Sequence, residues 1–187
     1  MAGQQNTPDV SHFQRIPWCA AHLSSQNLII ETPHTRLPKP DHEEALMAQT
    51  LNRPDAIAAF AVFYTPPPSP SDLLEEVGAF LTLGPMLNGW KGICHGGIVM
   101  TILDEVCGQL AAINRARGVV KDIPMMTAYL NVKFVAPVRT GTTVLVRAWM
   151  ARREGSRKYF VEGVMEDEGK RVLARAEGLF IQLKEKL

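Results

Sequence analysis

Asp104 and Glu105 stand side by side inside an apolar run that begins just after His95-Gly96-Gly97 and extends to about residue 117. The run reads Ile98, Val99, Met100, Ile102, Leu103, Val106, Cys107, Leu110, Ala111, Ile113. It is apolar nearly all round, as a buried helix is. A buried carboxylate is costly unless it is paired, hydrogen-bonded or used in chemistry. The two glycines fall where the helix should start. There the first backbone N–H groups lack partners and the helix dipole is positive. A glycine lets a ligand oxygen approach those groups closely. The bland alternative is that Gly-Gly only makes a tight loop-to-helix turn.

The helix period separates the two acids. Asp104 shares a stripe with Gly97, Met100, Gly108 and Ala111, mostly small residues that let a ligand or backbone come near. Glu105 points about 100° away, toward Thr101, Gln109 and Ala112, so Asp104 is the better site candidate.

His95-Gly96-Gly97 followed by an Asp nine residues after the His resembles the hotdog-fold acyl-CoA thioesterases of the PaaI/THEM-like, 4HBT-type branch. The resemblance spans roughly residues 76–183. It implies an α+β hotdog fold, a curved antiparallel sheet wrapped around one long central helix. It implies hydrolysis of an acyl-CoA thioester to a carboxylic acid and free coenzyme A. Asp104 would be the general base or nucleophile, and Gly96 the oxyanion donor with Gly97 allowing close packing. His95 would orient the loop or the substrate. Asn88 resembles the loop asparagine that positions the thioester or water, but stands one residue further from the histidine than is usual. Thr127, ten residues before Pro137, matches the Ser or Thr that helps hold the attacking water.

Coenzyme A would meet Arg157 and Lys158 after the Gly155-Ser156 turn, with Lys133 and the backbone near Phe134 and Ala136 beside them. A solvated hairpin explains Arg157-Lys158 as economically. The resemblance implies no cofactor beyond the coenzyme A of the substrate, and no metal. Two other readings stay open: a non-catalytic acyl-CoA-binding or regulatory module, and a hotdog enoyl-CoA hydratase or dehydratase.

The elements that must position these residues are readable in part. The 187 residues suffice for one core, with residues 1–54 expected as an arm with a short helix over 41–52 and residues 55–187 as the hotdog domain. Residues 1–10 are expected to be disordered, and 56–64 fits strand or helix. Strand-like runs follow at 76–83, 125–136, 142–152, 158–166 and 171–183, broken by Pro137, Gly141, Gly155 and Gly169. A net charge of +1 gives no general pull toward nucleic acid or an anionic membrane. No apolar run approaches the roughly 18 residues that span a bilayer. The N-terminus lacks a signal-peptide apolar stretch, and the three cysteines follow no metal or disulfide spacing. A cytoplasmic location is expected, although Glu185-Lys186-Leu187 faintly resembles the peroxisomal Ser-Lys-Leu address.

Strand alternation over 125–136 puts Ala128, Leu130, Val132 and Phe134 toward the helix and Thr127, Tyr129, Asn131 and Lys133 away from it. Thr127 should then miss Asp104 within one chain unless a bulge intervenes. A site shared between two copies, as a homodimer or homotetramer, would bring them together. Pairing of the 125–136 strand with its own copy would also cover an exposed edge.

Overall fold

The structure is a computed structural model that describes residues 7–184. Its chief element is α3 (Gly96–Ala116), whose Val99, Ile102, Leu103, Val106, Cys107, Leu110 and Ile113 are buried. An antiparallel sheet curves around that helix. Its strands are β1 (Ile29–Glu31), β2 (Ile57–Tyr64), β3 (Glu76–Leu83), β6 (Met125–Phe134), β7 (Thr142–Glu154), β8 (Lys158–Glu166) and β9 (Val172–Gln182). In space they run β1-β2-β3-β7-β8-β9-β6. A small hairpin, β4 (Asn88–Trp90) with β5 (Ile93–Cys94), lies in the glycine loop before α3. This is the hotdog arrangement.

Within residues 56–64, Ile57–Tyr64 form a strand, and its composition has a physical cause. Phe60 and Val62 face the α3 side, while Ala59 and Ala61 join a second cluster on the outer face with Phe80 and Leu145. A strand covered on both faces loses its polar-apolar alternation. The outer cover is the N-terminal segment. Its helices α1 (Pro8–Gln14) and α2 (Pro17–Leu23) bury Val10, Phe13, Cys19 and Leu23 there. Burying a Phe such as Phe13 stabilises by about 1.5–3 kcal/mol. Thr7 Oγ1 accepts from Val10 N at 3.3 Å to cap α1.

The chain then pairs β1 antiparallel to β2 at one end of the sheet and turns onto the α3 side. Arg36, only 3% exposed, holds that turn: its Nε donates to Asp9 Oδ2 at 3.2 Å and Nη2 donates to the Ile57 carbonyl at 2.7 Å.

Several expectations need correcting. Residues 8–10 open a helix instead of being disordered; residues 1–6 lie outside the described residues, as does the 185–187 tripeptide. The helix expected over 41–52 is reduced to a π-helical turn, Leu46–Thr50. His42 and Glu44 adopt φ of 63° and 61°, which no right-handed helix accommodates. Strand β1 and the β4–β5 hairpin are additional elements too short to show a period. By length and composition α3 is apolar enough to cross a bilayer, contrary to the expectation that no such stretch exists. Its apolar face packs against the sheet.

The two ends of the sheet differ. One carries the short β1. The other is β6, ten residues long, with Met126, Tyr129, Phe134 and, just beyond, Val135 about half exposed.

Candidate active site

His95 is the N-cap of α3. Its Nδ1 accepts the Gly97 N–H at 3.0 Å, so Nδ1 is unprotonated in this arrangement. The ring is held on two sides by glycines. A methyl at Gly97 would stand 3.1 Å from Nδ1, and one at Gly89 would stand 2.8 Å from the His95 Cα. His95 thus caps the start of the helix at the end of the glycine loop. Gly96 follows at the first helical position, where an α-helix leaves N–H groups without partners. A methyl at Gly96 would lie 3.4 Å from the Phe134 ring, so that ring flanks the exposed helix end.

Asn88 sits in the same region. It pairs with Cys94, and the register slips between Asn88 and Trp90. The slip at Gly89 accommodates the extra residue between Asn88 and His95. Asn88 Oδ1 accepts from Thr140 Oγ1 at 2.6 Å. Thr140 belongs to this half of the site and was not anticipated. It lies on a loop 52 residues away, and one Thr in a loop carries no pattern.

The second half of the site lies further along α3. Thr127 Oγ1 donates to Asp104 Oδ1 at 2.8 Å within one chain. This overturns the expectation that Thr127 faces away from the helix and that a second copy is needed to bring the two together. The cause is a bulge: Thr127 opposes Phe180 while Tyr129 opposes Leu179, so Ala128 is the extra residue. Parity flips there. Met125 packs on the core ahead of the bulge and Leu130 and Val132 after it. Phe134 has the inward parity but stays half exposed, against Gly96.

Asp104 and Thr127 border a cavity of about 260 Å³ with Gly108, Ala111 and Met125, the small residues of the Asp104 stripe among them. Glu105 borders it too, although its direction from the helix differs as expected. Gln109 Nε2 donates to Glu105 Oε1 at 2.7 Å and to Thr35 Oγ1 at 3.2 Å. Burial raises the Glu105 carboxyl above the ordinary glutamate range, and hydrogen bonds from Thr35 and Gln109 pull it partly back. The cavity's other wall is the N-terminal segment, with His34, Thr35, Glu43 and Glu44. That contribution had no sequence signal, because residues 33–44 carry no period. His34 Nε2 lies 3.0 Å from Glu44 Oε1.

The residues expected to meet coenzyme A are split. Lys133, Phe134 and, just past the strand, Ala136 lie at one end of β6, with the Phe134 ring beside Gly96. Arg157 and Lys158 lie at the opposite end: Arg157 Nε donates to the Gln182 carbonyl at 2.8 Å, and Gln182 pairs with Met125. The chain does not gather them into one cluster. Among the described residues no group of three or more His, Cys, Asp or Glu is placed to hold a metal.

The chain is similar to known proteins. The family model described as Thioesterase superfamily matches residues 91–174, a span that includes Gly96, Asp104 and Thr127. The chain is similar to Verlamelin biosynthesis protein B of Lecanicillium sp, 31% identical over 89% of this chain and 84% of that protein. It is similar to acyl-coenzyme A thioesterase THEM4 of Bos taurus, 32% identical over 54% of this chain and 38% of that protein. The chain spans only about half, or less, of the length of the yeast and mammalian relatives it matches. Among solved structures, a Bacillus halodurans protein crystallised with CoA aligns with a TM-score of 0.51 and 27% identity, over 59% of this chain and 70% of that one. With the fold, the His-Gly-Gly cap and the Thr127–Asp104 pair alongside these likenesses, the chain belongs to the hotdog-fold thioesterase superfamily.

Proposed function

We propose that the protein is an acyl-CoA thioesterase that hydrolyses an acyl-CoA to a carboxylic acid and coenzyme A. The observation that carries this reading is the Thr127 hydroxyl donating to Asp104 at 2.8 Å on the wall of a cavity. The hydrogen bond fixes one carboxylate oxygen and leaves the other free to take a proton. The Thr127 oxygen keeps lone pairs that can accept from a water. Water oxygen attacks the thioester carbonyl carbon while its proton passes to Asp104. The carbonyl oxygen becomes an oxyanion that the Gly96 N–H stabilises. Collapse breaks the C–S bond, and the thiolate of coenzyme A takes the proton back from Asp104. No cofactor enters; coenzyme A arrives with the substrate.

Gly96 and Asp104 of one chain cannot serve the same carbonyl. They are eight residues apart on α3, about 12 Å along the axis, whereas a reacting atom should stand about 3 Å from both groups. A two-fold axis pairing β6 with a second copy antiparallel inverts its ends. The Asp104–Thr127 half of one copy then meets the Gly96–Asn88 half of the other. Arg157 and Lys158 likewise come beside Lys133, Phe134 and Ala136 of the second copy. The homodimer is thus part of the proposal, and β6 is the long exposed edge that makes it.

The test is incubation with a panel of acyl-CoAs and a thiol reagent. Stoichiometric release of coenzyme A and the free acid is expected. Tight binding without turnover would identify a binding module instead, and addition of water to an enoyl-CoA without thiol release would identify a hydratase.

A further inference from the structure

We propose that the trench beneath the N-terminal segment holds the acyl chain and that this segment sets which chain lengths are accepted, a proposal that rests on the thioesterase reading above. The 260 Å³ cavity beside Asp104 shares His34, Gln109, Ala112 and Arg115 with a second cavity of about 1150 Å³. Shared walls make the two adjoining parts of one trench. Its floor is the C-terminal half of α3. Its roof is residues 31–38, which the resemblance to the family does not cover. The larger cavity alone slightly exceeds the range of about 300–1,000 Å³ usual for a small-ligand pocket, as an open trench would.

The chemistry of the larger cavity changes away from Asp104. Ala112, Ile113, Ala116, Leu37 and Tyr64 make an apolar part of its wall beside polar residues such as Glu31, Thr32 and Asn52, and Leu37 is 55% exposed. The cations on its walls each have a protein partner, although Arg36 Nη1 is buried without one. Arg36 pairs with Asp9 at 3.2 Å, Arg115 lies 3.5 Å from Asp122, and Arg117 donates to the Asp72 and Pro70 carbonyls. A coenzyme A phosphate would find no free guanidinium among these, whereas an aliphatic chain would find apolar wall. The reacting carbonyl must stand at Asp104, so the acyl tail is the part of the substrate that reaches this space. From Asp104 to Ala116 the helix rises about 18 Å, and to Ala112 about 12 Å. That length accommodates a medium or long aliphatic chain. The roof is held at the Asp104 end by Thr35, bonded to buried Gln109, and further along by Arg36.

Two substitutions read the trench as a ruler. Ala116→Trp blocks its far end and Ala112→Trp its near part. The readouts are kcat/KM for palmitoyl-, octanoyl- and acetyl-CoA. Ala116→Trp is expected to lower the palmitoyl-to-acetyl ratio at least tenfold and leave the octanoyl-to-acetyl ratio near wild type. Ala112→Trp is expected to lower both ratios at least tenfold. Equal losses at all lengths, or unchanged ratios, overturn the trench. Ala116 is exposed near the helix end, so its variant keeps the test open if Ala112→Trp fails to fold. If the wild type cleaves no acyl-CoA, the thioesterase reading fails separately. Displacement of a fluorescent fatty acid by palmitate then decides: weakened binding in Ala116→Trp supports the trench, and binding equal to wild type overturns it.

Discussion

The carboxylate pair on α3 separates two jobs that lie one residue apart. Among the described residues Asp104 accepts a hydrogen bond from a hydroxyl and lines the cavity of small residues, whereas Glu105 is held by a buried amide. Asp104→Asn keeps the shape and removes the proposed base. It should lower kcat on the order of 10² or more, the scale of a general base, with the fold retained by circular dichroism. Thr127→Val removes one hydrogen bond and should lower kcat about fivefold, as expected for a bond of about 1 kcal/mol. Near-wild-type turnover in Asp104→Asn would remove the central residue of the mechanism. Glu105 has a different signature. Desolvation raises its carboxyl, so between the ordinary glutamate range and that raised value the folded chain keeps a proton that the unfolded chain has released. The stability it supplies is present below the ordinary range and is lost as pH rises through the folded pKa. Nearby Glu44 and Asp104 push in the same direction. Glu105→Gln keeps an oxygen for Gln109 and removes the titration. Its urea-unfolding stability should fall less than that of wild type as pH rises from about 4 to 8. Parallel pH curves for the two proteins would show that Glu105 does not titrate in that window.

The elements decide which side chains the chemistry can use, and here the decisive device is a single bulged residue. Ala128 turns Thr127 to the helix while Leu130 and Val132 keep their place in the core. Deleting Ala128 removes the extra residue and leaves Thr127, Leu130 and Val132 on one face of a regular strand, so a folded deletion variant should keep the Thr127–Asp104 contact and most of its turnover. Loss of turnover in a folded deletion variant would show that the local bend of the bulge, and not only its parity, is needed by the site. The charged β7–β8 turn carries a separate prediction. Charge reversal at Arg157 and Lys158 together should raise KM for acyl-CoA more than it lowers kcat, because phosphate contacts persist from ground to transition state. If phosphate-free thioesters suffer equally, those residues do not bind the nucleotide. The long helix, the strands after it and the His-Gly-Gly cap were legible because they are strongly periodic or tied to a helix start. The bulge was not. Nothing in Thr-Ala-Tyr-Leu marks one residue as extra, since that depends on what β9 places opposite. Thr35, Thr140 and the roof over the trench were equally hidden, being single polar residues in segments without period that reach the site only through tertiary packing.

At the scale of the whole molecule, the N-terminal segment covers one face and one end of the sheet and leaves β6 open. This asymmetry gives a second copy one long strand edge to pair with, and the divided site gives that pairing a chemical consequence. Each dimer should hold two sites, each with Asp104 from one copy and Gly96 from the other. Two inactive variants can test the arrangement directly. Asp104→Asn disables one half. Gly96→Pro disables the other by removing its N–H, and the fold should tolerate it. Gly96 occupies the first helical position, where proline fits. His95 before it has φ −62° and ψ 135°, the extended conformation that a residue preceding proline prefers. Mixed and exchanged, the two variants form heterodimers with one doubly disabled site and one intact site. Random exchange makes about half of all dimers hetero, so activity should recover to about a quarter of wild type under closed two-fold pairing. Sites completed within a single chain would show no recovery at any mixing ratio. Sedimentation of the same mixture as a monomer would refute the β6 pairing itself, because each chain would then hold Gly96 and Asp104 too far apart to act on one carbonyl.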